Sequence, residues 1–123
     1  MTELLYKQLV YDIVGCAMEV HNELGYGFLE KVYENALMLE LRNVRIPAVQ
    51  QSQIQVKYKN SIVGDYVADI VIDNKIILEL KAVSHLADEH IAQTLNYLKA
   101  TGYKLGLLMN FGKEKLEYKR LIF

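Results

Sequence analysis

Helical spacing of apolar residues marks three segments of the chain. Over residues 3–24, 29–42 and 86–101, apolar side chains recur every three or four positions, which predicts three amphipathic helices. Gly25 and Gly102 stand where the first and third helices are expected to stop. The first helix is predicted to bury Leu5, Leu9, Ile13, Cys16, Ala17, Val20 and Leu24, and the second Leu29, Val32, Tyr33, Ala36, Leu37 and Leu39. The third is predicted to bury Ile91, Leu95 and Leu98.

Strand-like patterns fill most of the remaining sequence. The predicted strands occupy residues 53–58, the two halves of 64–83, 104–111 and 116–123. The first alternates, with Ile54, Val56 and Tyr58 on one face. Turn residues separate the strands at Lys59-Asn60-Ser61 and at Asp73-Asn74, so residues 64–83 are predicted to form a hairpin.

Three charged residues interrupt the apolar strands of this hairpin. They are Asp69, Glu79 and Lys81. A charge within a buried strand is costly unless it is paired or binds a metal. Glu79 and Lys81 point to the same face because side chains alternate along a strand. If Asp69 faces that way too, two carboxylates and one ammonium converge. The alternative is a strand with one solvated face.

The pattern Asp69…Glu79-Leu80-Lys81 resembles the active site of the PD-(D/E)XK nuclease superfamily. The proline-aspartate of the superfamily name is absent, since Val67-Ala68 precede Asp69. A second motif, Gly27-Phe-Leu-Glu30-Lys-Val-Tyr33, is similar to the signature of the GxxExxY family within that superfamily. The resemblance implies that Glu30 is the helical acid of a nuclease site. The alternative for Glu30 is an acid favoured by the dipole of the first helical turn.

A further motif, Gln93-X-X-X-Tyr97, matches one found in exonuclease-like members of the superfamily. Gln93 and Tyr97 are predicted to lie on the roughly opposite side of the third helix from its core stripe, with His90 nearby as a surface histidine. His21, near the end of the first helix, is interpreted as a partner of the helix dipole rather than as a ligand.

The resemblance covers nearly the whole chain and implies a fold. The expected architecture is α/β, with a restriction-endonuclease-like core of four to five strands flanked by helices, in the order α-α-β-β-β-α-β-β. The crossover between the parallel strands is expected to be right-handed. Residues 1–123 are expected to form a single domain, as the length alone also predicts.

The implied chemistry is metal-dependent phosphodiester hydrolysis, most simply of DNA. Asp69, Glu79 and the backbone carbonyl of Leu80 would hold Mg²⁺, with Mn²⁺ as a substitute, because Mg²⁺ prefers oxygen ligands and keeps several waters. Lys81 would orient the attacking water and stabilise developing negative charge. Glu30 would act as an outer acid, through water or a second metal. Gln93 and Tyr97 would position the lysine or a phosphate.

Composition narrows the function classes. The single cysteine, Cys16, permits no internal disulfide and favours a reducing, cytoplasmic setting. No apolar run approaches the length of a membrane span, and the first residues do not resemble a signal peptide. The sequence contains no Cys/His cluster typical of zinc and no phosphate-binding loop motif.

Charge points to a partner in nucleic-acid binding. The net charge is −1, with four basic against seven acidic residues in positions 1–55. A non-specific DNA binder that acts alone usually carries a stronger basic surface. A second copy of the chain or a partner protein is therefore expected to add affinity. Two hypotheses remain open: a metal-dependent nuclease in a repair, mobile-element or defence context, and a non-catalytic binding or assembly module with the same fold.

Overall fold

Two helices, three strands, a third helix and two further strands follow one another along residues 4–123, the part of the chain that the computed structural model describes. The helices are α1 (Lys7–Leu24), α2 (Glu30–Asn43) and α3 (Asp88–Thr101). The strands are β1 (Ala48–Tyr58), β2 (Ser61–Ile72), β3 (Ile76–Lys81), β4 (Leu105–Asn110) and β5 (Glu117–Ile122). This order confirms the predicted α/β fold class.

The five strands form one mixed sheet in the order β1-β2-β3-β4-β5. β3 and β4 are parallel and are connected through α3, whereas the other neighbouring pairs are antiparallel. β3 and β4 occupy the interior of the sheet, and Ile76–Leu80 and Leu105–Asn110 are buried throughout. Continuous apolar strands of this kind are typical of a sheet that is covered on both faces.

Two hydrophobic clusters cover the two faces of the sheet. On one face, Ile76, Leu78 and Leu80 of β3 pack with α1 and α2 residues such as Ile13 and Leu37. On the other face, Ile77 packs with Tyr97 and Leu98 of α3. The alternation along β3 therefore directs successive side chains to different helices, as the pleat of a strand requires.

Local turn chemistry explains where the elements end. Gly25 follows α1 with φ 68° and Gly102 follows α3 with φ 81°, both in the left-handed half of φ space that glycine tolerates. Lys59 and Asn60 form the two-residue connection between β1 and β2, with φ values of 47° and 70°. Asp73 and Asn74 begin the β2–β3 turn. The predicted hairpin turns are confirmed.

Several element boundaries differ from the sequence prediction. α1 begins at Lys7 rather than at residue 3, which itself lies outside the described residues. β1 begins at Ala48, directly after Pro47, because Ala48, Val49, Gln50 and Ser52 pair with β2 although this stretch lacks a clear apolar alternation. Within residues 4–123, no helix has the length and apolar character needed to cross a membrane.

The buried side of α2 differs from the predicted one. Leu29, Val32 and Leu39 were expected in the core, but they are 82%, 38% and 56% exposed. Tyr33 and Leu37 are buried as predicted, and Glu34 and Leu41, which were not predicted, are buried with them. Because Glu34 is buried while Val32 and Leu39 are exposed, the buried side of α2 is rotated relative to the side that apolar residues alone predict.

His21 lies in the last turn of α1, as expected, but it is buried rather than solvated. Its Nε2 lies 2.8 Å from the carbonyl oxygen of Lys113, and its ring stacks on Phe111. His21 thus joins α1 to the segment between β4 and β5.

Candidate active site

The candidate site lies where β2 and β3 separate. Their ladder comprises three pairs, the last being Ile70 with Leu78. Beyond it, side chains replace the missing backbone bonds: the Asp69 N–H donates to Glu79 Oε2 and the Leu80 N–H donates to Asp69 Oδ2, both at 2.8 Å. The two acids are therefore brought together and held by each other's strand, as the predicted convergence of Asp69 and Glu79 requires.

Glu30 reaches the same stretch of β3 from the first turn of α2. Its Oε2 accepts a hydrogen bond of 3.2 Å from the N–H of Ala82, directly after the strand. Asp69, Glu79 and Glu30 thus each use one carboxylate oxygen to bind a backbone N–H. Within residues 4–123, the other oxygen of each carboxylate accepts no hydrogen bond from the protein.

Burial and mutual repulsion disfavour the charged forms of the two strand acids. Removal from water, the largest cause, and the neighbouring Asp69 carboxylate together raise the pKa of Glu79 to about 8, against smaller opposing effects of the Asp69 N–H and Lys81. Burial also raises the pKa of Asp69, while the Leu80 N–H and Lys81 act against this rise. Groups with such environments concentrate at functional sites.

Lys81 lies close enough to lower the pKa of both acids. Among the described residues, its ammonium forms no ion pair within 4 Å of a carboxylate. The side chain is half-buried, and its strand position is fixed by the β3–β4 ladder, where Lys81 stands beside Asn110. Its ammonium is thus held near the acids without being neutralised by direct contact.

Asn110, which the sequence analysis did not single out, fixes the chain after Lys81. Its buried amide bonds both polar groups of the Val83 backbone: Oδ1 accepts from the N–H at 3.0 Å and Nδ2 donates to the carbonyl at 2.9 Å. Oδ1 also accepts from the Gly112 N–H. Nδ2 also donates to Glu117, and this bond lowers the pKa of that carboxyl. The segments that leave β3 and β4 are therefore tied together beside the site.

A second buried acid, Glu34, was also missed. It is 3% exposed and accepts hydrogen bonds from Lys31, at 3.0 Å, and from the side-chain amides of Gln50 and Gln51. Gln51 has φ 55° within β1, in the left-handed region that a non-glycine residue rarely occupies. Such strain often accompanies a functional site.

Glu34 shares a cleft of about 490 Å³ with the candidate site. Glu30, Gln51, Asp69 and Ala82 line it as well. The negative charge of Glu34 contributes to the raised pKa of Asp69. Gln50 and Gln51 are sixteen and seventeen residues from Glu34 in the sequence, which corresponds to no helical or strand periodicity. The cluster of Glu34 with these two amides could therefore not be predicted from the sequence.

Tyr97 does not lie where the helical spacing predicted. It is 6% exposed and packs in the core cluster beneath α3, while the expected core residues Ile91 and Leu95 are only half-buried. Burial raises the pKa of Tyr97, and the Glu79 and Asp69 carboxylates raise it further. Tyr97 therefore lies near enough to the two acids for their charges to act on its hydroxyl.

Gln93 lines a larger groove together with Tyr97, and none of its described contacts reaches Asp69, Glu79 or Lys81. His90, expected at the surface, is half-buried, and its Nδ1 accepts the Ala87 N–H at the start of α3. Tyr33 of the α2 motif is fully buried, donating to the Gly25 carbonyl and accepting the Phe28 N–H.

The donor set suits a hard divalent cation. Within residues 4–123, no three side chains of His, Cys, Asp or Glu form a ready metal cluster. Two carboxylates and a carbonyl can nevertheless hold Mg²⁺, which retains water as its remaining ligands. The free oxygens of Asp69 and Glu79 are available, and their repulsion is relieved by a cation. The Leu80 carbonyl points to the same side of β3 as its N–H, and that N–H binds Asp69.

Comparison with known proteins gives a family and a fold. The family model of the PD-(D/E)XK nuclease superfamily matches residues 7–121. The solved structure of SSO0001 superimposes with a TM-score of 0.59 at 17% identity, covering 76% of this chain and 50% of that one. This chain thus spans half the length of that relative.

A second solved structure, that of an alkaline exonuclease from Laribacter hongkongensis, superimposes with a TM-score of 0.55 at 11% identity. It covers 99% of this chain and 72% of that one. At these identities both structures establish the fold alone. No curated protein sequence matches the chain.

Proposed function

This chain belongs to the PD-(D/E)XK nuclease superfamily, and from that premise we propose that it is a metal-dependent nuclease that hydrolyses phosphodiester bonds in DNA. The observation that carries the proposal is the paired anchoring of Asp69 and Glu79, which leaves one oxygen of each carboxylate free beside Lys81. We propose further that the whole chain is one nuclease domain of the GxxExxY branch, on the strength of its Glu30 and Tyr33 motif.

Each side chain has a distinct role in the proposed reaction. Asp69, Glu79 and the Leu80 carbonyl hold Mg²⁺ or Mn²⁺, which when bound supplies positive charge to the phosphodiester and makes water more acidic. Lys81 orients the attacking water and stabilises the negative charge that develops on phosphate. Glu30 acts through water as an outer acid.

Tyr97 is proposed as a positioning residue whose hydroxyl acts from the α3 side. Its proximity to the acids is supported by their effect on its pKa. Gln93, which lines the adjacent groove, is proposed to contact the substrate phosphate rather than Lys81, because its described surroundings are those of the groove.

The charge balance supports a cation in the site. Without a metal, the carboxylates of Asp69 and Glu79 lie close together, and burial and repulsion between carboxylates raise the pKa of both. A DNA phosphate adds further negative charge, so substrate and site repel each other without a cation. The near-neutral chain, with net charge −1, also supports a second copy or a partner that contributes to DNA binding.

Replacing Lys81 tests the proposal most directly. Purified protein is assayed on single- and double-stranded DNA and RNA with Mg²⁺ and with Mn²⁺. Lys81→Ala is expected to lower the cleavage rate by about 10²–10³, the usual cost of removing a preorganised charge. It should cost about 1 kcal/mol or less in stability, because Lys81 forms no direct ion pair. Lys119→Ala, an exposed lysine of β5, is the matched control and should cleave normally.

Metal binding and cleavage together separate the nuclease from the alternative, a non-catalytic module of the same fold. Millimolar Mg²⁺ or Mn²⁺ should raise the melting temperature of the wild type, since a ligand of the folded state stabilises it. Asp69→Asn should remove most of this gain. An equal response of wild type and variant would exclude Asp69 as a ligand. A wild type that binds metal but cleaves no substrate would favour the module.

A further inference from the structure

A groove of about 910 Å³ runs between α3 and the β1–β2 hairpin, outside the acid pair. Its walls carry Lys57 from β1 and Lys99 from α3, both exposed, together with the aromatic ring of Tyr66 from β2. One acid, Glu89, also lines it, so the charged lining has one positive charge in excess. The remaining polar lining is supplied mainly by side-chain amides, among them Gln93.

Tyr66 is placed as a platform within this groove. Its ring lies 5.6 Å from the ring of Tyr97, centroid to centroid, and is therefore supported on one side by a buried neighbour. Tyr66 nevertheless remains 49% exposed. A large aromatic side chain that is held by the core yet open to the groove offers a surface on which a planar group can stack.

One residue of the groove, Tyr97, lies near the acid pair. Tyr97 lines the groove, and the negative charges of Glu79 and Asp69 contribute to the raised pKa of its hydroxyl. Tyr66 stands three residues before Asp69 on β2. A DNA strand that lies in the groove would therefore pass close to the proposed catalytic acids.

We infer that this groove binds single-stranded DNA, with one base stacked on Tyr66 and the backbone phosphates held by Lys57 and Lys99. The inference rests on the proposed nuclease function and names the form of its substrate. Lysines that track phosphates and an aromatic ring that stacks on a base are the two components of single-strand recognition. A paired and stacked base inside a duplex has no face free for Tyr66, which is the reason to favour the single strand.

Binding by variants of Tyr66 tests the inference. A short fluorescein-labelled single-stranded DNA is titrated with protein in EDTA, so that binding is measured without cleavage, and anisotropy is read. Tyr66→Ala should weaken binding between about fivefold and a hundredfold, as expected for the loss of one stacked base. Tyr66→Phe should bind like the wild type. The matched control is Tyr11→Ala, an α1 tyrosine that is 75% exposed.

The lysines provide a second, independent measurement. Lys57→Ala and Lys99→Ala should each reduce the slope of log affinity against log salt by about 0.7, the value for one phosphate contact on a single strand. Lys7→Ala on α1 should leave the slope unchanged. Lys57 and Lys99 are exposed, so their alanine variants should fold. Their salt slopes therefore test the groove assignment even if Tyr66→Ala fails to fold.

The outcomes separate this inference from the nuclease proposal. Unchanged single-strand affinity in Tyr66→Ala, or an equal loss of affinity for blunt duplex DNA, would overturn the groove assignment even if the wild type cleaves DNA. A wild type that binds single strands through Tyr66 but cleaves nothing with Mg²⁺ or Mn²⁺ would overturn the nuclease proposal and leave the groove assignment standing. A wild type that binds no single-stranded DNA overturns the groove assignment.

Discussion

Glu30 and Tyr33 occupy one short motif but face different surroundings. The Tyr33 hydroxyl is buried and bonds the Gly25 carbonyl at 2.7 Å and the Phe28 N–H at 3.2 Å. It therefore closes the connection between α1 and α2. The Glu30 carboxylate instead reaches out to the end of β3. The motif combines a residue that holds the loop with a residue that the loop presents to the site.

Tyr33→Phe and Glu30→Gln should separate these roles. Tyr33→Phe is expected to lower the free energy of unfolding by about 0.5–1.5 kcal/mol, because it removes the hydrogen bonds of the Tyr33 hydroxyl to the Gly25 carbonyl and the Phe28 N–H. Its rate of DNA cleavage should stay close to that of the folded wild type. Glu30→Gln should reduce cleavage with little change in stability. Urea denaturation and initial cleavage rates measure both, and Tyr11→Phe at the surface is the control. The same stability for Tyr33→Phe as for wild type would contradict the loop-closing role.

At the scale of elements, the segment after β3 and the segment after β4 are packed against each other without spare room. A Cβ added to Gly112 would lie 2.4 Å from both the N and the O of Val83. Backbone atoms cannot swing away as a flexible side chain can. The contact lies two residues from Lys81 and beside the Asn110 amide that binds Val83. The close approach at Gly112 therefore helps to fix the end of β3.

Alanine at two glycines should have opposite effects. Gly112→Ala is expected to destabilise the protein by about 1–3 kcal/mol, as forced overpacking does. It should also slow cleavage, because the chain after Lys81 must shift. Gly15→Ala, in the middle of α1 with nothing within 4 Å of the added Cβ, should stabilise by about 0.5–1 kcal/mol. Chemical denaturation of both variants checks the signs, and a neutral Gly112→Ala would show that the two segments can separate at little cost.

The elements themselves were predictable because their signals are local. Apolar spacing and turn residues such as Lys59-Asn60 and Asp73-Asn74 act within a few positions, and the predicted order of helices and strands is confirmed. Apolar spacing predicted only part of the face that α2 buries, namely Tyr33 and Leu37. The core admits Glu34, whose partners lie on β1, and excludes Leu29 and Leu39.

The pairing of Asp69 with Glu79 could be anticipated only in part. Strand alternation and the hairpin suggested that the acids meet. The hydrogen bonds that hold them depend on where the β2–β3 ladder stops, and that point is set by packing between distant segments. The burial of Tyr97 and the hydrogen bonds of Asn110 to Val83 also depend on contacts between distant segments. Neither could be predicted from a local sequence pattern.

At the scale of the whole molecule, the acid pair links stability to pH. The pKa of Glu79 is about 8 in the folded protein, against 4.5 for a free glutamate. Between these values the folded protein keeps a proton that the unfolded chain has released, so raising the pH favours unfolding. The raised pKa of Asp69 acts in the same direction. The metal-free protein should therefore lose stability as pH rises through this window.

Glu79→Gln measures this contribution. With EDTA present, the free energy of unfolding of the wild type minus that of Glu79→Gln should fall as pH rises from about 4.5 to about 8, and level off above it. Urea denaturation at a series of pH values gives this difference. Glu114→Gln, an exposed acid, should show no such trend. A difference that is independent of pH would mean that Glu79 is ionised throughout.

The hydrogen bonds of Asp69 and Glu79 to the backbone have a consequence for how such a chain evolves. Each carboxylate closes a gap in the sheet, so selection for folding alone would retain both acids, even in a descendant with no enzymatic activity. Lys81 has no such bond to the backbone through its side chain and would be free to drift. Among descendants of this protein that had lost the proposed nuclease activity, both acids would therefore persist for structural reasons, and the lysine would be the first of the three residues to be replaced.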